Sequence, residues 1–316
     1  MKRIIGILSL ATLLVFAACS NSSDSGSSGG GVTPAGFVKV AADNASGAVL
    51  NSEVFITGRT VPISALYVCD HEVTQGEYET YCKYGGISSP SDSYGKGANY
   101  PAYYVSWYDA VVYCNLRSKA EGLNPVYQIG TETDPTKWSG IVVNATGKWC
   151  GPSSSNGTWN GITMVGSNPA NNVVTTANGY RLPTEAEWEY IARNKNSDSY
   201  TYSGSNTIGD VAWYSSNSGN NGTSTNQKSH AVKTTPKSNG LNIYDMSGNV
   251  CEWCWDWYGS IDSSTKALGA SSGSERVFRG GSWNLDASYC SVACRIKCDP
   301  GNRDVILGFR VVRTAN

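Results

Sequence analysis

Apolar residues in this 316-residue chain come in short bursts separated by Gly, Asn and Ser, and three stretches pair a helical start signal with a following apolar run. Thr74-Gln-Gly-Glu77, Ser106-Trp-Tyr-Asp109 and Thr184-Glu-Ala-Glu187 each set a hydroxyl three residues before an acid. In that arrangement the hydroxyl caps a free backbone N–H and the carboxylate answers it. The spacing predicts three helices, the second running through Ala110, Val111 and Leu116 to Gly122 and the third through Trp188 and Ile191 to Arg193, each with one side toward a core. Elsewhere, short β-type runs such as Val142-Val143 and Val173-Val174 sit among turn residues, so loops and short strands outweigh helix. The class is α+β.

The two ends of the chain break this pattern in different ways. Arg279 to Trp283 and Leu307 to Val312 read as strands punctuated by glycine, but the residues between them follow neither a helical nor a strand period. At the other end, Lys2 and Arg3 precede the apolar run Ile4 to Phe16 and the small residues Ala17-Ala18, the construction of an export signal over residues 1–18. The run is short for a membrane span. Cys19, directly after two alanines, resembles the lipidated cysteine of bacterial lipoproteins; the alternative is an ordinary signal peptide with an incidental cysteine. Residues 19–36 are nearly all Ser, Gly, Asn and small residues, a flexible tether, and residues 37–316 show no internal repeat or linker and form one domain.

A net charge of −1 without a basic run beyond the signal argues against nucleic acid as a partner, and leaves the lipid as the sole membrane attachment. The domain is taken as a monomer. Nine cysteines remain besides Cys19; in an exported chain they suggest disulfides, yet the odd count leaves at least one thiol free and the pairing open. Cys251-Glu-Trp-Cys254 has redox or zinc spacing but no second pair, which favours packed or disulfide-bonded cysteines. Cys290, Cys294 and Cys298 would share a face only in a helix that Pro300 and Gly301 oppose. His71 and His230 are the only histidines, too few for a multi-histidine iron site.

Four longer motifs carry a resemblance: Gly179 to Tyr190, Gly240 to Trp253, Arg279 to Trp283 and Gly308 to Val312. Together with Glu72 to Gln75 and Val105 to Trp107, their order is similar to that of the formylglycine-generating enzyme, or sulfatase-modifying factor, family. The resemblance implies a single domain with a compact variant of the C-type lectin fold. It also implies a test of activity, because the family's enzymes oxidise a substrate cysteine at a pair of copper-binding thiols. The second of these falls on Cys290, but the first falls on Leu285, which cannot bind a metal. A structural calcium is implied at Asp245, Glu252 and the carbonyls of Gly248 and Val250, oxygen donors that suit a hard cation. The alternative is that both carboxylates satisfy turn N–H groups.

Residues 283–310 further resemble the variable segments of receptors in the same fold family that retroelements diversify at adenines. The frame Trp283, Ala287, Cys290, Ala293, Arg295, Asn302, Arg303 and Gly308-Phe309-Arg310 matches, and between these lie Leu285, Asp286, Ser288, Tyr289, Ser291, Cys294, Ile296, Cys298, Asp299, Gly301, Asp304, Val305 and Ile306. Each of the thirteen is reachable by changing adenines in an asparagine codon; Lys297 is not. The mixture of an aromatic, apolar and hydrogen-bonding residues resembles an adaptable contact surface on a rigid support. The expectation is a non-enzymatic lipoprotein receptor displayed on the bacterial outer membrane, with no catalytic residue and no required cofactor, binding a protein or glycan ligand. The alternative is a formylglycine-generating-type oxidoreductase acting on protein cysteine.

Overall fold

The chain enters the fold through the strand Phe37–Val40, antiparallel to Leu66–Cys69, and leaves it through Val312–Thr314 on the other side of that central strand. Both ends of the domain are thus fixed on one three-stranded sheet. The computed structural model describes residues 32–315 apart from 51, 85–88, 144–148, 152–158 and 160, so the export signal and Cys19 lie outside the described residues. Residues from Thr33 onward pack as one compact unit. Among the described residues no helix is long and apolar enough to cross a membrane.

All three expected helices form where their capping signals stand: Gln75–Tyr81, Trp107–Ala120 and Glu185–Ala192. In the third, Glu187 N–H donates to Thr184 Oγ1 at 3.2 Å while Thr184 N–H donates to Glu187 Oε2 at 2.8 Å. The first two close in the same reciprocal way. Their surroundings differ from expectation. Every residue of Glu185–Ala192 is buried, as is each from Trp107 to Asn115, so loops enclose these helices on all sides rather than on one.

A four-stranded sheet carries the C-terminal half, in the order Ile296–Cys298, Arg276–Arg279, Cys251–Trp257, Leu307–Gly308, the last pair parallel and the others antiparallel. Two-stranded ribbons pair Asp43–Ser46 with Thr60–Ile63, Tyr127–Ile129 with Ile162–Met164, and Val142–Val143 with Trp149–Cys150. Three expectations need correcting. Val173-Val174 is not a strand and contributes only an isolated bridge from Val173 to Asn168. The strand expected over Arg279 to Trp283 ends at Arg279, because Gly280 and Gly281 turn the chain at φ +93° and +72°. The run Leu307 to Val312 divides between two sheets, with buried Phe309 to Val311 crossing between them.

The core is aromatic and unusually charged. Phe309 meets Tyr113 edge-on at 5.2 Å, Tyr113 stacks with Tyr78 at 5.8 Å, and fully buried Arg181 is held by Glu187 through two bonds of 2.6 and 2.7 Å. A buried guanidinium is costly unless partners with good geometry meet it. Of the nine described cysteines seven are buried, where they pack as small apolar side chains.

One buried acid lacks such a partner. Asp256 Oδ2 accepts Glu185 N–H at 2.7 Å, and burial together with the nearby Glu185 charge lifts its carboxyl to about 7. Because the folded value exceeds the unfolded one of about 3.9, the fold binds a proton that the unfolded chain releases, so stability falls as pH rises from about 4 to 7. Asp256→Asn keeps the oxygen acceptor and should flatten that slope by roughly 4 kcal/mol at most across the window. Urea unfolding of both proteins at pH 5 and pH 7.5 measures it; equal slopes would show that Asp256 is ionised throughout.

Candidate ligand-binding surface

Residues 280–310 leave the four-stranded sheet, run over the surface and return to it, and their backbone is pinned at short intervals. The first pin is Gly281, where a Cβ would stand 2.7 Å from Cys290 Sγ and 2.8 Å from Cys290 N, so the loop folds onto a residue that must have no side chain. Trp283 follows, buried, with its N–H on the Asn249 carbonyl at 2.8 Å, its own carbonyl accepting from Ser218 at 2.6 Å, and its indole donating to the Val305 carbonyl at 3.2 Å. One side chain thereby ties the start of the segment to its end.

Arginines supply the remaining pins. Arg295 grips Glu185 at 2.6 and 2.8 Å, and Arg303 grips Asp109 at 2.7 and 2.9 Å. Fully buried Arg310 grips Glu252 at 2.7 and 2.6 Å. Forked arginine–carboxylate pairs fix orientation as well as distance. Two of these carboxylates are on capped helices, Glu185 at the start of Glu185–Ala192 and Asp109 as the capping acid of Trp107–Ala120. The helices therefore hold the loop from below.

Between the pins the side chains are freer. Of the thirteen candidate contact residues, Asp286, Ser288, Tyr289 and Asp299 are exposed, and Tyr289 presents 43% of its surface. Leu285, Ser291, Cys294, Ile296, Cys298, Asp304, Val305 and Ile306 are half-buried. Leu285, Ile296, Cys298 and Ile306 lean on the main core, and Val305 and Ile306 on Trp283 and its neighbours. Gly301 is buried, its N–H on Asp299 Oδ1 at 2.7 Å, so it is a turn residue and offers no contact surface. Neighbouring loops that the sequence did not single out extend the face. Ser215 donates its N–H to the Leu285 carbonyl at 3.0 Å and its hydroxyl to Asp286 at 3.1 Å, and Tyr94 lies 5.9 Å from the Trp283 ring.

The same geometry bears on the chemistry expected of thiols and metals. Cys290 is fully buried, and burial pushes its thiol up to about 12, so little thiolate is present near neutral pH. Leu285 occupies the position of its partner. The three-thiol alternative also fails: Cys290 ends a single 3₁₀ turn and Cys298 lies in a strand, so no helix aligns them with Cys294. Cys251 and Cys254 lie within a strand. The first neighbours Cys290 and Ser282 and the second Glu185 and Asp256, and burial raises both well above the usual thiol value. The pair of thiols that the resemblance implies for copper is incomplete, because Leu285 supplies no thiol.

The donors expected for calcium are divided. Glu252 spends both oxygens on Arg310 and accepts the Trp188 indole N–H at 2.7 Å as well, so it has no oxygen to spare. Asp245 accepts Lys233 N–H through Oδ2 at 2.7 Å, while its Oδ1 is buried without a partner among the described residues. Among the described residues one cluster gathers metal-type donors, Cys69, Asp70 and His71. His71 lies between Asp70 at 2.5 Å and Glu77 at 3.4 Å. Although burial opposes its charge, bonds to Asp70, Cys69 and Glu77 raise it to about 12.

With this geometry in place, the known proteins that share it can be compared. The model of the sulfatase-modifying factor enzyme 1-like domain matches residues 26–315. The chaperone protein LppX of Paenibacillus barcinonensis is 34% identical over 279 residues, 85% of this chain and 87% of its own. The formylglycine-generating enzyme of Streptomyces coelicolor is 34% identical over 150 residues, 44% of this chain and 48% of its own. Among solved structures, Treponema denticola variable protein 1 superposes with a TM-score of 0.66 at 32% identity, covering 88% of this chain and 94% of that one.

Proposed function

We propose, from the fact that this chain belongs to the sulfatase-modifying factor enzyme 1-like family, that it is a non-enzymatic receptor displayed on the bacterial outer membrane by a lipid on Cys19. It uses the family scaffold to hold a diversified contact surface over residues 283–310. The observation that carries this reading is the separation of roles along that segment: Trp283, Arg295, Arg303 and Arg310 are committed to the scaffold, while Asp286, Ser288 and Tyr289 face outward. Similarity to a variable protein over most of both chains supports it. The ligand is a protein or a glycan, met by an aromatic anchor flanked by hydrogen-bonding groups.

The chaperone relative favours a second reading, in which the same surface holds an exported client protein. Both readings require binding without turnover. Purified protein given Cu(I) and a peptide with a sulfatase-type cysteine motif should yield no aldehyde, since Leu285 replaces one thiol and Cys290 stays protonated. Multiple turnovers, read by mass spectrometry, would restore the oxidoreductase reading. The lipid is tested separately. Cys19→Ala should move the protein from the membrane to the soluble fraction, and a variant that still sediments with membranes contradicts lipid attachment at Cys19.

A further inference from the structure

Away from the variable surface, a cavity of about 470 Å³ opens beside the strands Cys251–Trp257 and Ile162–Met164, with Trp255, Trp257, Met164 and Leu268 among its walls and Arg276 in its lining. This volume lies within the usual range for small-ligand sites. Buried Arg181, Arg279 and Arg310 each meet carboxylates, and buried Arg59 spends its donors on the carbonyls of Thr265, Val54 and Lys266, whereas Arg276, only 4% exposed, makes no ion pair and one hydrogen bond among the described residues.

Its guanidinium is flanked by aromatic faces, 3.9 Å from the Trp107 ring centre, 4.9 Å from Trp255 and 3.4 Å from Trp257. Nη1 donates to the Trp255 carbonyl, but Nε is buried with no acceptor among the described residues and Nη2 makes no hydrogen bond there. Nε is closed off from the cavity, so Nη2 is the donor that a ligand can reach. Tryptophan faces steady the charge but supply no acceptor. Burial also pulls the guanidinium down to about 9, as expected of a cation without a counter-ion.

The lining specifies what completes the site. A charged guanidinium N–H suits one oxygen of a carboxylate. The nearby Asp256, whose charge acts on Arg276, disfavours a polyanion, and the only other cation in the lining is exposed Lys266. The remaining walls are indole faces and aliphatic side chains. We propose that this cavity is a second binding site, for a small monocarboxylate carried on a flat apolar ring, with Arg276 Nη2 meeting the acid and Trp255 and Trp257 receiving the ring. The site is independent of the receptor reading, because none of its lining belongs to residues 283–310.

Titration calorimetry of the full chain with indole-3-acetate, against its neutral isostere indole-3-acetamide, tests it. The acid should bind, and the amide should bind at least about tenfold more weakly, the loss expected when a charge-assisted contact becomes a neutral one. Arg276→Gln removes the charge and should weaken the acid by a similar factor. Should that variant fail to fold, Thr163→Trp decides the matter, because Thr163 is exposed and lines the cavity, so the indole fills it without touching the core. This variant should melt like the wild type and lose the probe. Alanine replacements of Asp286, Ser288 and Tyr289 should leave probe binding unchanged, which separates this site from the variable surface. Equal binding of acid and amide, absence of binding at millimolar acid, or undiminished binding by Thr163→Trp overturns the proposal.

Discussion

Arg310→Ala is expected to destabilise the domain by at least about 3–5 kcal/mol, the scale for removing one partner of a buried ion pair. Arg310 is fully buried, forks onto Glu252, and donates to the carbonyls of Cys69 at 3.1 Å and Tyr244 at 2.8 Å. Removing it strands one carboxylate and two carbonyls. Two more acids lie in the same field: burial raises Glu72 well above the usual carboxylate range and Asp245 to about 6, and the Arg310 charge pulls both back down. Without that charge both rise further. A carboxyl raised in the folded state weakens the fold above its unfolded value, so the variant should lose more stability at pH 7 than at pH 5. Chemical denaturation at the two pH values measures this. Adding Glu252→Gln should recover part of the loss, since the stranded charge is then gone. A loss below about 1 kcal/mol that is independent of pH would mean that the pair does not lock the turn.

What the sequence revealed depended on how local each signal was. Thr74, Ser106 and Thr184 announced helices correctly because a capping box closes within four residues. The same acids also do distant work that no local pattern shows: Asp109 receives Arg303 across 194 positions and Glu185 receives Arg295 across 110. Periodicity misjudged the helices' surroundings for a related reason, since Trp107 to Asn115 is enclosed by chain from far away. Val173-Val174 has strand propensity but finds no continuous partner, so tertiary context overrides it. Cysteine count in an exported chain pointed to disulfides, whereas Cys251, Cys254 and Cys290 are buried free thiols. The turn at Asp245 and Glu252 offered the residue types of a calcium site, but nothing nearby in sequence revealed that Arg310 takes both oxygens of Glu252. Absence of the first thiol was legible at once, as Leu285.

The central claim is that stability and recognition reside in different residues of one segment. Trp283→Ala, taken from the frame, should cost about 3–5 kcal/mol, the usual penalty for deleting a large buried aromatic. Asp286, Ser288 and Tyr289 replaced together by alanine should shift stability by only about half a kcal/mol each, because exposed substitutions seldom do more. Leu285 and Ile296 are left out of that set, since both lean on the core. A ligand found by screening glycan and surface-protein arrays should lose the triple variant, with Tyr289 carrying the largest share as the exposed aromatic of the face. The decisive measurement is a melting curve and a binding titration on the Asp286, Ser288 and Tyr289 triple variant. An unchanged melt with binding abolished is the predicted result; a collapsed melt, or binding that survives intact, would contradict a receptor surface at residues 283–310.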